Sequence, residues 1–392
     1  MRGHIVGRYK GSYSIVLSLG RDPVSGKRRQ RWVTVHGTKR DAEKKLAELL
    51  HQYDAGSLIK PNKIKLGDFL LRWLKDCKPN VGAKTAEGYE HIILRHLIPG
   101  LGNIPLSQID AESLQHYYSE KLLQGRLDGK GGLSAKTVRH HHVILHGALS
   151  CAVKWGLLSK NPADAVTPPR AQRHEWKTLN PDDIGRLLRA AKETPYYELF
   201  YLAIATGMRR SELLALLWRD VDLFLCQIYV NRSLHHLTDG QIIYQQPKTA
   251  KGRRMIALSP STALMLKEHQ EKQKIERVKF GISLSNDDIL VFCHNDGSPL
   301  LPDSVTHAWI KLTRRIGLRG IRLHDARHTH ASLLLKQGVH PKIVQERLGH
   351  STIQMTLDTY SHVVPGLQEA AAKRFDEFLI NEVKKESVEK FG

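Results

Sequence analysis

Short runs of β-branched and aromatic residues open the chain and predict a small sheet. Two such runs, at residues 12–19 and 30–35, flank a turn that carries Asp-Pro, Ser-Gly and four basic side chains. Thr38, three residues before Asp41, resembles a capping box with a shorter acid. Apolar residues follow it at helical spacing; they are Ala42, Leu46, Leu49 and Leu50. The pattern predicts strands followed by a helix.

A block of helices is predicted next. Residues 55–65 combine Gly, Ser, Pro and Lys without apolar periodicity, which is typical of a linker. Beyond them, apolar residues recur at helical spacing in four segments, and Ser134 is a suitable N-cap for the last segment. The segments are residues 66–77, 85–98, 110–124 and 134–156. Residues 161–176 are proline-rich and basic, so they predict a second linker and a C-terminal domain after it.

The C-terminal part mixes helices and strands. An apolar helical stretch at residues 196–222 precedes three predicted strands, at residues 226–233, 241–246 and 253–259. Helical spacing returns in a tail at residues 367–379. The apolar residues of this tail are Leu367, Ala371, Phe375 and Leu379. The sequence therefore predicts a multidomain protein whose last domain is mixed α+β and mainly helical.

The charge balance adds a partner to this picture. Lysine and arginine number 60 against 39 aspartate and glutamate, for a formal net charge of +21, and residues 1–60 alone carry 13 basic against 5 acidic side chains. Lysines and arginines that displace condensed counterions from phosphates give affinity for nucleic acid of any sequence. Nucleic acid is therefore the expected partner, and a well-solvated basic protein is the alternative.

Membrane contact, disulfides and metal binding are not expected. The start, MRGHIVGRYK, has no apolar stretch typical of a secretory signal, and no later segment approaches the roughly 18–20 apolar residues of a membrane span. We therefore expect a cytoplasmic protein. The four cysteines stand far apart and form no CxxC pair. Three consecutive histidines, His140, His141 and His142, would point about a hundred degrees apart on a helix, so we expect them to be solvated or phosphate-facing rather than metal ligands.

Candidate chemistry is confined to the C-terminal part. Arg209 lies beside Gly207, where a turn enters an amphipathic helix, and Lys248 lies on a turn between two predicted strands. His324 and Arg327 are three residues apart and would share one face of a helix. The segment RLGHSTIQMTLDTYSHV adds two further candidates: His350 and, ten residues later, Tyr360.

Together these motifs resemble one family. TGMRRSELLAL, the lysine of PKTAKGRR, HDARHTHAS and LGHSTIQMTLDTYSHV, in this order, closely resemble the tyrosine recombinase (phage integrase) family, including integrases of temperate phages and integrative conjugative elements. The resemblance spans about residues 176–365. It implies three domains: an arm-type DNA-binding domain (1–60) of a three-stranded sheet plus a helix, a helical, SAM-like core-binding domain (63–165), and a catalytic domain (172–392) with a C-terminal tail helix.

The resemblance also implies a reaction. DNA strands would be cleaved and rejoined at specific sites through a 3′-phosphotyrosine intermediate, without metal, ATP or cofactor, to integrate or excise a mobile element. Tyr360 would be the nucleophile, His324 would assist removal of its proton, and the two arginines, Arg209 and Arg327, would bind the phosphate. Lys248 would protonate the leaving oxygen. A further hydrogen bond to the phosphate would come from His350.

Other basic residues are candidates for DNA binding. Arg28, Arg29 and Arg31 lie on the predicted hairpin and could lay strands into a DNA groove, with a purely structural hairpin as the alternative. Lys136 and Arg139 lie near the start of the last helix of the helical block. The resemblance implies double-stranded DNA with core and arm sites, a homotetramer in the synapse, and an excisionase or DNA-bending protein as accessory partner, all at the nucleoid of a bacterial host. The tail helix would dock on a neighbouring protomer or pack on its own domain.

Three other functions are compatible with parts of the sequence. A topoisomerase with phosphotyrosine chemistry would nick and reseal one duplex without strand exchange. A DNA-binding architectural or regulatory protein would leave the six positions inert. His324 and His328, four residues apart, would suit a metal-dependent nuclease, but no carboxylate-rich set of partners lies near them in the sequence.

Overall fold

The computed structural model of the chain describes residues 3–9, 11–21, 26, 28–54, 64–171, 177–247, 252–281, 289–360, 372–373 and 375–380. Two units form, Met1–Arg173 and His174–Gly392. Within these described ranges, no helix combines the length and the apolar character that crossing a membrane would require. The first unit contains two separate hydrophobic clusters, and the division into three domains stays a prediction.

A three-stranded antiparallel sheet and one helix form the start of the first unit. The sheet runs in the order β1-β2-β3. Its strands and the helix that follows are β1 (Gly3–Tyr9), β2 (Ser12–Arg21), β3 (Arg28–His36) and α1 (Lys39–Asp54). Ile15 and Leu17 of β2 are fully buried and pack with Leu49 of α1. The predicted cap is confirmed, because the Thr38 amide donates to Asp41 Oδ2 (2.8 Å) and the Asp41 amide donates to Thr38 Oγ1 (3.3 Å).

Helices make up the rest of the first unit. They are α2 (Leu66–Cys77), α3 (Ala83–Ile92), α4 (Ile98–Leu101), α5 (Ala111–Gln124) and α6 (Ala135–Lys154). Phe69, Tyr117 and Tyr118 are among the largest side chains of their buried core. The predicted N-cap of α6 is confirmed, since Ser134 Oγ accepts a hydrogen bond from the Thr137 amide (3.2 Å).

Two predictions for this part need correction. The helix predicted at residues 85–98 is divided, because a π-helical turn at Ile93–Leu97 separates α3 from α4. Pro99, two residues after this turn, has no N–H to donate to the carbonyl of Arg95, so the regular α ladder cannot run through this point. The predicted second linker begins too early: a 3₁₀ turn at Pro162–Ala165 packs into the helical core through Ala163.

Up to residue 360, the described part of the second unit combines two small antiparallel sheets with eight α-helices. The sheets have the orders β4-β5-β8 and β6-β7. The strands are β4 (Val221–Asp222), β5 (Gln227–Val230), β6 (Ser233–His236), β7 (Ile242–Gln245) and β8 (Arg254–Ala257). The helices are α7 (Pro181–Ala191), α8 (Tyr197–Thr206), α9 (Arg210–Leu213), α10 (Pro260–Lys279), α11 (Pro302–Arg315), α12 (Leu323–Lys336), α13 (Pro341–Leu348) and α14 (Ile353–Tyr360).

A buried aromatic pair marks the core of this unit. Trp309 of α11 and Phe200 of α8 are fully buried and meet edge to face, with ring centroids 5.0 Å apart. The Trp309 indole donates to the Ile321 carbonyl (3.1 Å), so its one polar atom is satisfied inside the core.

The strand predicted at residues 226–233 is broken into β5 and β6. Asp220 causes the break, because its carboxylate accepts a hydrogen bond from Asn231 Nδ2 (2.9 Å) and forms an ion pair with Arg232 (3.1 Å). These bonds hold residues 231 and 232 beside the start of β4. The chain therefore passes here from β5 in the first sheet to β6 in the second.

The predicted tail helix is described in part. Residues 375–380 are helical, and Phe375 and Phe378 are 64% and 57% exposed. The predicted positions Leu367 and Ala371 lie outside the described residues.

The histidine triple lies on α6, and the expectation that all three side chains are solvated or phosphate-facing is wrong for His141. This residue is fully buried, with its Nδ1 3.1 Å from the Tyr117 hydroxyl oxygen and its ring 4.9 Å from that of His96. Among the described residues, none offers its Nε2 a hydrogen bond. Burial, followed by the neighbouring His96, lowers the pKa of His141 to about 3.

We expect the packing of α5 against α6 to weaken as the pH falls below 6.5. In the unfolded chain His141 binds a proton at its ordinary pKa of 6.5, whereas in the folded chain it does so only near 3, so protons favour the unfolded state between these values. At about pH 5.5 the loss is about 1.4 kcal/mol, or about tenfold in amide protection. Hydrogen–deuterium exchange of the α6 amides, corrected for intrinsic exchange rates, measures this loss of protection by comparing about pH 5.5 with about pH 7.5.

Two variants isolate His141 as the cause. His141→Asn can accept a hydrogen bond from Tyr117 but cannot take up a proton, so it should flatten the pH dependence. His140→Asn removes an exposed histidine from the same helix and should leave the pH dependence unchanged. An unchanged pH dependence in His141→Asn would assign the effect to other groups.

Candidate active site

Arg209 lies where α8 gives way to α9. Gly207 ends α8 with a left-handed φ of 65°. A Cβ at this position would lie 2.8 Å from His330 Cδ2 and 2.9 Å from Leu348 Cδ2, so the turn requires glycine for space as well as for conformation. Arg209 follows two residues later as the N-cap residue of α9.

Glu212 fixes Arg209 from the first turn of α9. Its carboxylate accepts hydrogen bonds from the Arg209 amide (2.8 Å) and from Arg209 Nη1 (2.7 Å). Arg254 of β8 pairs with the same carboxylate, and the Glu212 residue is buried. Burial raises the pKa of Glu212, but the hydrogen bonds and charge of Arg254, and then the charge of Arg209, outweigh burial and bring this pKa to about 2. Glu212 is therefore ionised at neutral pH.

Arg327 is buried on α12 and is held by backbone carbonyls. Its Nη1 donates to the Gly207 carbonyl (2.9 Å) and its Nη2 donates to the Leu348 carbonyl (2.7 Å). These bonds connect the end of α8 to the end of α13 and orient the plane of the guanidinium. The prediction that His324 and Arg327 lie on one helix is confirmed by α12.

His350 follows the end of α13 and is held at three points. Its amide donates to the Gln345 carbonyl (3.1 Å), and its own carbonyl accepts from Gln345 Nε2 (2.8 Å). The ring Nδ1 lies 2.9 Å from Thr356 Oγ1 in α14. Burial, then the charges of Arg327 and Arg209, lower the pKa of His350 to about 3, so its ring is neutral at pH 7.

His324 lies one turn before Arg327 and meets His328 edge to face, with ring centroids 4.9 Å apart. Although His324 is exposed at the surface, the loss of water around its ring, followed by the charge of Arg327, lowers its pKa below the ordinary value of 6.5. The neutral ring can accept a proton at physiological pH.

The last two predicted residues are described incompletely or not at all. Tyr360 is the final residue of α14, and its side chain lies outside the described part of the chain. Thr356, which contacts His350, precedes it by four residues on the same helix and is fully buried. Lys248 lies outside the described residues.

The structure thus brings four of the six predicted residues into one cluster. Arg209 and Arg327 both lower the pKa of His324 and of His350, which places the two charges near both rings. Arg327 also donates to the carbonyl of Leu348, and Arg209 to that of Gly349, at the position just before His350. Such a cluster can bind an anionic ligand, and its neutral histidines can exchange protons with that ligand.

Two residues of this cluster, Glu212 and Arg254, are not among the residues predicted from the sequence. An acid within the otherwise apolar run SELLALL was the available signal for Glu212. Nothing in the sequence pairs it with Arg254, which is 42 residues away.

The candidate DNA-binding residues belong to the first unit. Arg28 is exposed at the start of β3, while the side chains of Arg29 and Arg31 in the same strand lie outside the described part. Lys136 and Arg139 are exposed near the start of α6. In the described ranges, no group of three or more histidine, cysteine, aspartate or glutamate side chains is arranged to hold a metal ion.

Comparison with known sequences gives consistent matches. The model of the Phage integrase family matches residues 177–366, and that of the phage integrase N-terminal SAM-like domain matches residues 65–122. A tyrosine recombinase XerC-like protein of Caldanaerobacter subterraneus subsp. tengcongensis is 29% identical and aligns over 95% of this chain and 97% of its own. The ICEBs1 integrase of Bacillus subtilis is 27% identical and aligns over 94% of this chain and 98% of its own.

Solved structures share the fold. The integrase of transposon Tn1549 in complex with a circular intermediate DNA superposes with a TM-score of 0.66 at 22% identity, covering 80% of this chain and 99% of that chain. A lambda integrase tetramer bound to a Holliday junction gives a TM-score of 0.54 at 20% identity, covering 89% of this chain and 95% of that chain.

We expect Gly207→Ala to destabilise the second unit more than Gly240→Ala does. Both glycines have a left-handed φ, but a Cβ at residue 240 meets nothing within 4 Å, whereas one at residue 207 meets His330 and Leu348. The backbone strain of about 1–2 kcal/mol is common to both variants. Displacing the packed side chains adds about 1–3 kcal/mol for residue 207 alone. Urea unfolding of both proteins measures the difference, and equal losses would exclude the steric contribution.

Proposed function

Because this chain belongs to the tyrosine recombinase (phage integrase) family and is a site-specific DNA recombinase that breaks and rejoins strands, we propose that Tyr360 is its nucleophile and that Arg209 and Arg327 bind the scissile phosphate. One observation supports this proposal above all others. Arg327 donates to the Leu348 carbonyl and Arg209 to the Gly349 carbonyl, which are the two carbonyls directly before His350. Tyr360 follows ten residues later, at the end of α14.

The positive charge of the arginines complements the negative charge of the substrate. A DNA phosphodiester is anionic and repels nucleophiles, and the pentavalent transition state concentrates more charge on its non-bridging oxygens. A guanidinium stays protonated and donates in a planar fork that matches phosphate oxygens. Arg327, whose orientation is fixed by two carbonyls, supplies a preorganised donor of this kind.

Proton transfer would involve His324 and Lys248. A tyrosine hydroxyl with a pKa of about 10 is a weak nucleophile at neutral pH and needs a base. His324 would take up this proton, because a pKa below 6.5 leaves its ring unprotonated at neutral pH. Lys248, three residues after β7 in the sequence, would donate a proton to the leaving 5′-oxygen. His350 would hydrogen-bond the phosphate.

The covalent step conserves bond energy. Attack by the Tyr360 oxygen forms a bond to phosphorus and breaks the bond to the 5′-oxygen, which leaves a 3′-phosphotyrosine and a 5′-hydroxyl. Rejoining reverses the step with the 5′-hydroxyl of a partner strand, so the scheme requires neither ATP nor a cofactor.

The two parts of the first unit would bind different stretches of double-stranded DNA. We assign arm sites to the N-terminal sheet, where Arg28 and Trp32 are exposed on β3, with Arg29 and Arg31 as further candidates. We assign core sites to the helical part, where Lys136 and Arg139 are exposed. Contacts from such side chains to phosphates would position the protein, and base contacts would set its specificity.

Strand exchange requires more than one protomer. We infer a homotetramer on two duplexes, which the lambda integrase tetramer on a Holliday junction supports, and an excisionase or DNA-bending protein as accessory partner. The substrate would be the attachment site of a phage or an integrative conjugative element, as the ICEBs1 integrase supports. Such a reaction takes place on chromosomal DNA, in the cytoplasm of a bacterial host.

Two other activities predict different results on DNA. A topoisomerase would form the same covalent adduct but would relax one duplex without joining it to another. An inert DNA-binding protein would form no adduct. The arm-type sheet favours recombination, since a protomer that holds two DNA sites can organise a synapse.

We expect Tyr360→Phe to abolish cleavage without weakening DNA binding, because the variant loses only one hydroxyl group. The assay uses nicked duplexes built from the direct repeats that flank the mobile element, with EDTA present, and resolves the covalent adduct on a denaturing gel. Tyr229→Phe is the matched control, since it removes an exposed hydroxyl from the same unit. Adduct formation by Tyr360→Phe would show that the nucleophile is another residue.

Deleting residues 1–60 should abolish recombination while reducing binding to the crossover site much less, because arm sites would then be unoccupied. Recombination between two attachment-site plasmids and gel-shift titration of a core duplex measure the two effects separately. Recombination at the parental rate by the truncated protein would exclude the arm-binding role.

A further inference from the structure

Three arginines converge on the last turn of α13. Arg254 Nε donates to the Arg347 carbonyl (2.7 Å), Arg327 Nη2 to the Leu348 carbonyl (2.7 Å) and Arg209 Nη2 to the Gly349 carbonyl (3.5 Å). The last carbonyls of a helix have no intrahelical donors and carry its negative partial charge, so cations are favoured there. Of these three arginines, Arg254 is the one without a role in the proposed reaction.

Arg254 binds the Glu212 carboxylate through both of its terminal nitrogens. Its Nη1 lies 3.1 Å from Glu212 Oε1 and its Nη2 lies 2.8 Å from Oε2, which is a two-point pairing of guanidinium and carboxylate. The Arg254 side chain is 5% exposed and that of Glu212 is 7% exposed. Water therefore does not compete for this pair.

The pairing with Arg254 limits the number of hydrogen bonds that Glu212 can accept from the Arg209 guanidinium. The Arg209 guanidinium meets the carboxylate through Nη1 alone (2.7 Å), and its side chain remains 38% exposed. Without Arg254, each carboxylate oxygen would lose one donor, and Oε2, which keeps its bond from the Arg209 amide (2.8 Å), would be open to a second bond from the Arg209 guanidinium. Arg209 would then turn away from the Gly349 carbonyl and toward Glu212.

We propose that Arg254 is a positioning residue for DNA cleavage, which saturates Glu212 and so keeps the Arg209 guanidinium directed at the scissile phosphate. The inference rests on the proposed function, because it assumes that Arg209 binds this phosphate. Arg254 itself contacts Glu212 and the backbone carbonyls of Gly252 and Arg347. It acts on the reaction through Arg209.

The test compares two substrates that differ in the charge that Arg209 would meet. One nicked duplex carries the natural phosphate at the scissile position, and the other carries a methylphosphonate, in which a methyl group replaces one non-bridging oxygen and removes the negative charge. Single-turnover release of the 5′-hydroxyl strand is measured for both with the same preparation of full-length protein. A misfolded fraction lowers both rates equally and cancels in their ratio.

Arg254→Gln should slow cleavage of the phosphate substrate by about 10²-fold, the effect expected of a misplaced catalytic group. The loss on the methylphosphonate should be about tenfold smaller, since less charge develops there for Arg209 to stabilise. Arg254→Lys restores the charge without the two-point geometry and should fall between the parent and Arg254→Gln. Binding of the core duplex should stay near the parental affinity.

Arg315→Gln is the matched control. Arg315 also pairs with a glutamate, Glu193 (3.2 Å), and donates to a carbonyl, that of Ala190 (2.9 Å), but its contacts are at the ends of α7 and α11. This variant should keep the parental ratio of the two rates.

Each outcome separates the proposal from its premise. Equal losses on both substrates in Arg254→Gln would show that Arg254 serves the fold alone, and parental rates would show that it has no role. Absence of cleavage by the parent protein on any attachment site would instead contradict the proposed function.

Discussion

The last turn of α13 is the constraint on which the site depends. Its carbonyls at residues 347, 348 and 349 bind Arg254, Arg327 and Arg209. Those arginines come from β8, α12 and the start of α9, so one helix end brings three distant parts of the sequence together. Gly349, with a left-handed φ of 67°, then turns the chain into His350. Positive charge for binding a phosphate is thereby assembled by backbone groups whose positions do not depend on side-chain rotamers.

Glu212 makes this concentration of charge tolerable inside the protein. Burying like charges together is costly unless each is paired or hydrogen-bonded. The carboxylate of Glu212 lies between two guanidiniums and remains ionised, because its pKa is about 2. The third guanidinium, that of Arg327, donates to the carbonyls of Gly207 and Leu348. The three guanidiniums and the one carboxylate of Glu212 together carry a positive charge, which is the sign that an anionic substrate requires.

Local features of the fold could be predicted from the sequence, and contacts between distant segments could not. The caps at Thr38 and Ser134 depend on residues three positions apart, so their motifs were sufficient. The family resemblance, the fold class and the recombinase activity are confirmed by the comparisons. The break between β5 and β6 depends on Asp220 reaching Asn231, and the burial of His141 depends on Tyr117 and His96. Periodicity carries no information on such pairings.

The hydrogen bond between His350 and Thr356 links two functions within one short segment. His350 belongs to the proposed phosphate-binding cluster, and Thr356 belongs to the helix that ends at Tyr360. If α14 leaves its position, the His350 ring loses its hydrogen bond to Thr356, while the backbone bonds to Gln345 still hold the residue. Under the proposed function, a protomer whose α14 is undocked would lack an oriented His350 ring as well as its nucleophile. A single movement of the chain would thus impair two of the proposed catalytic groups.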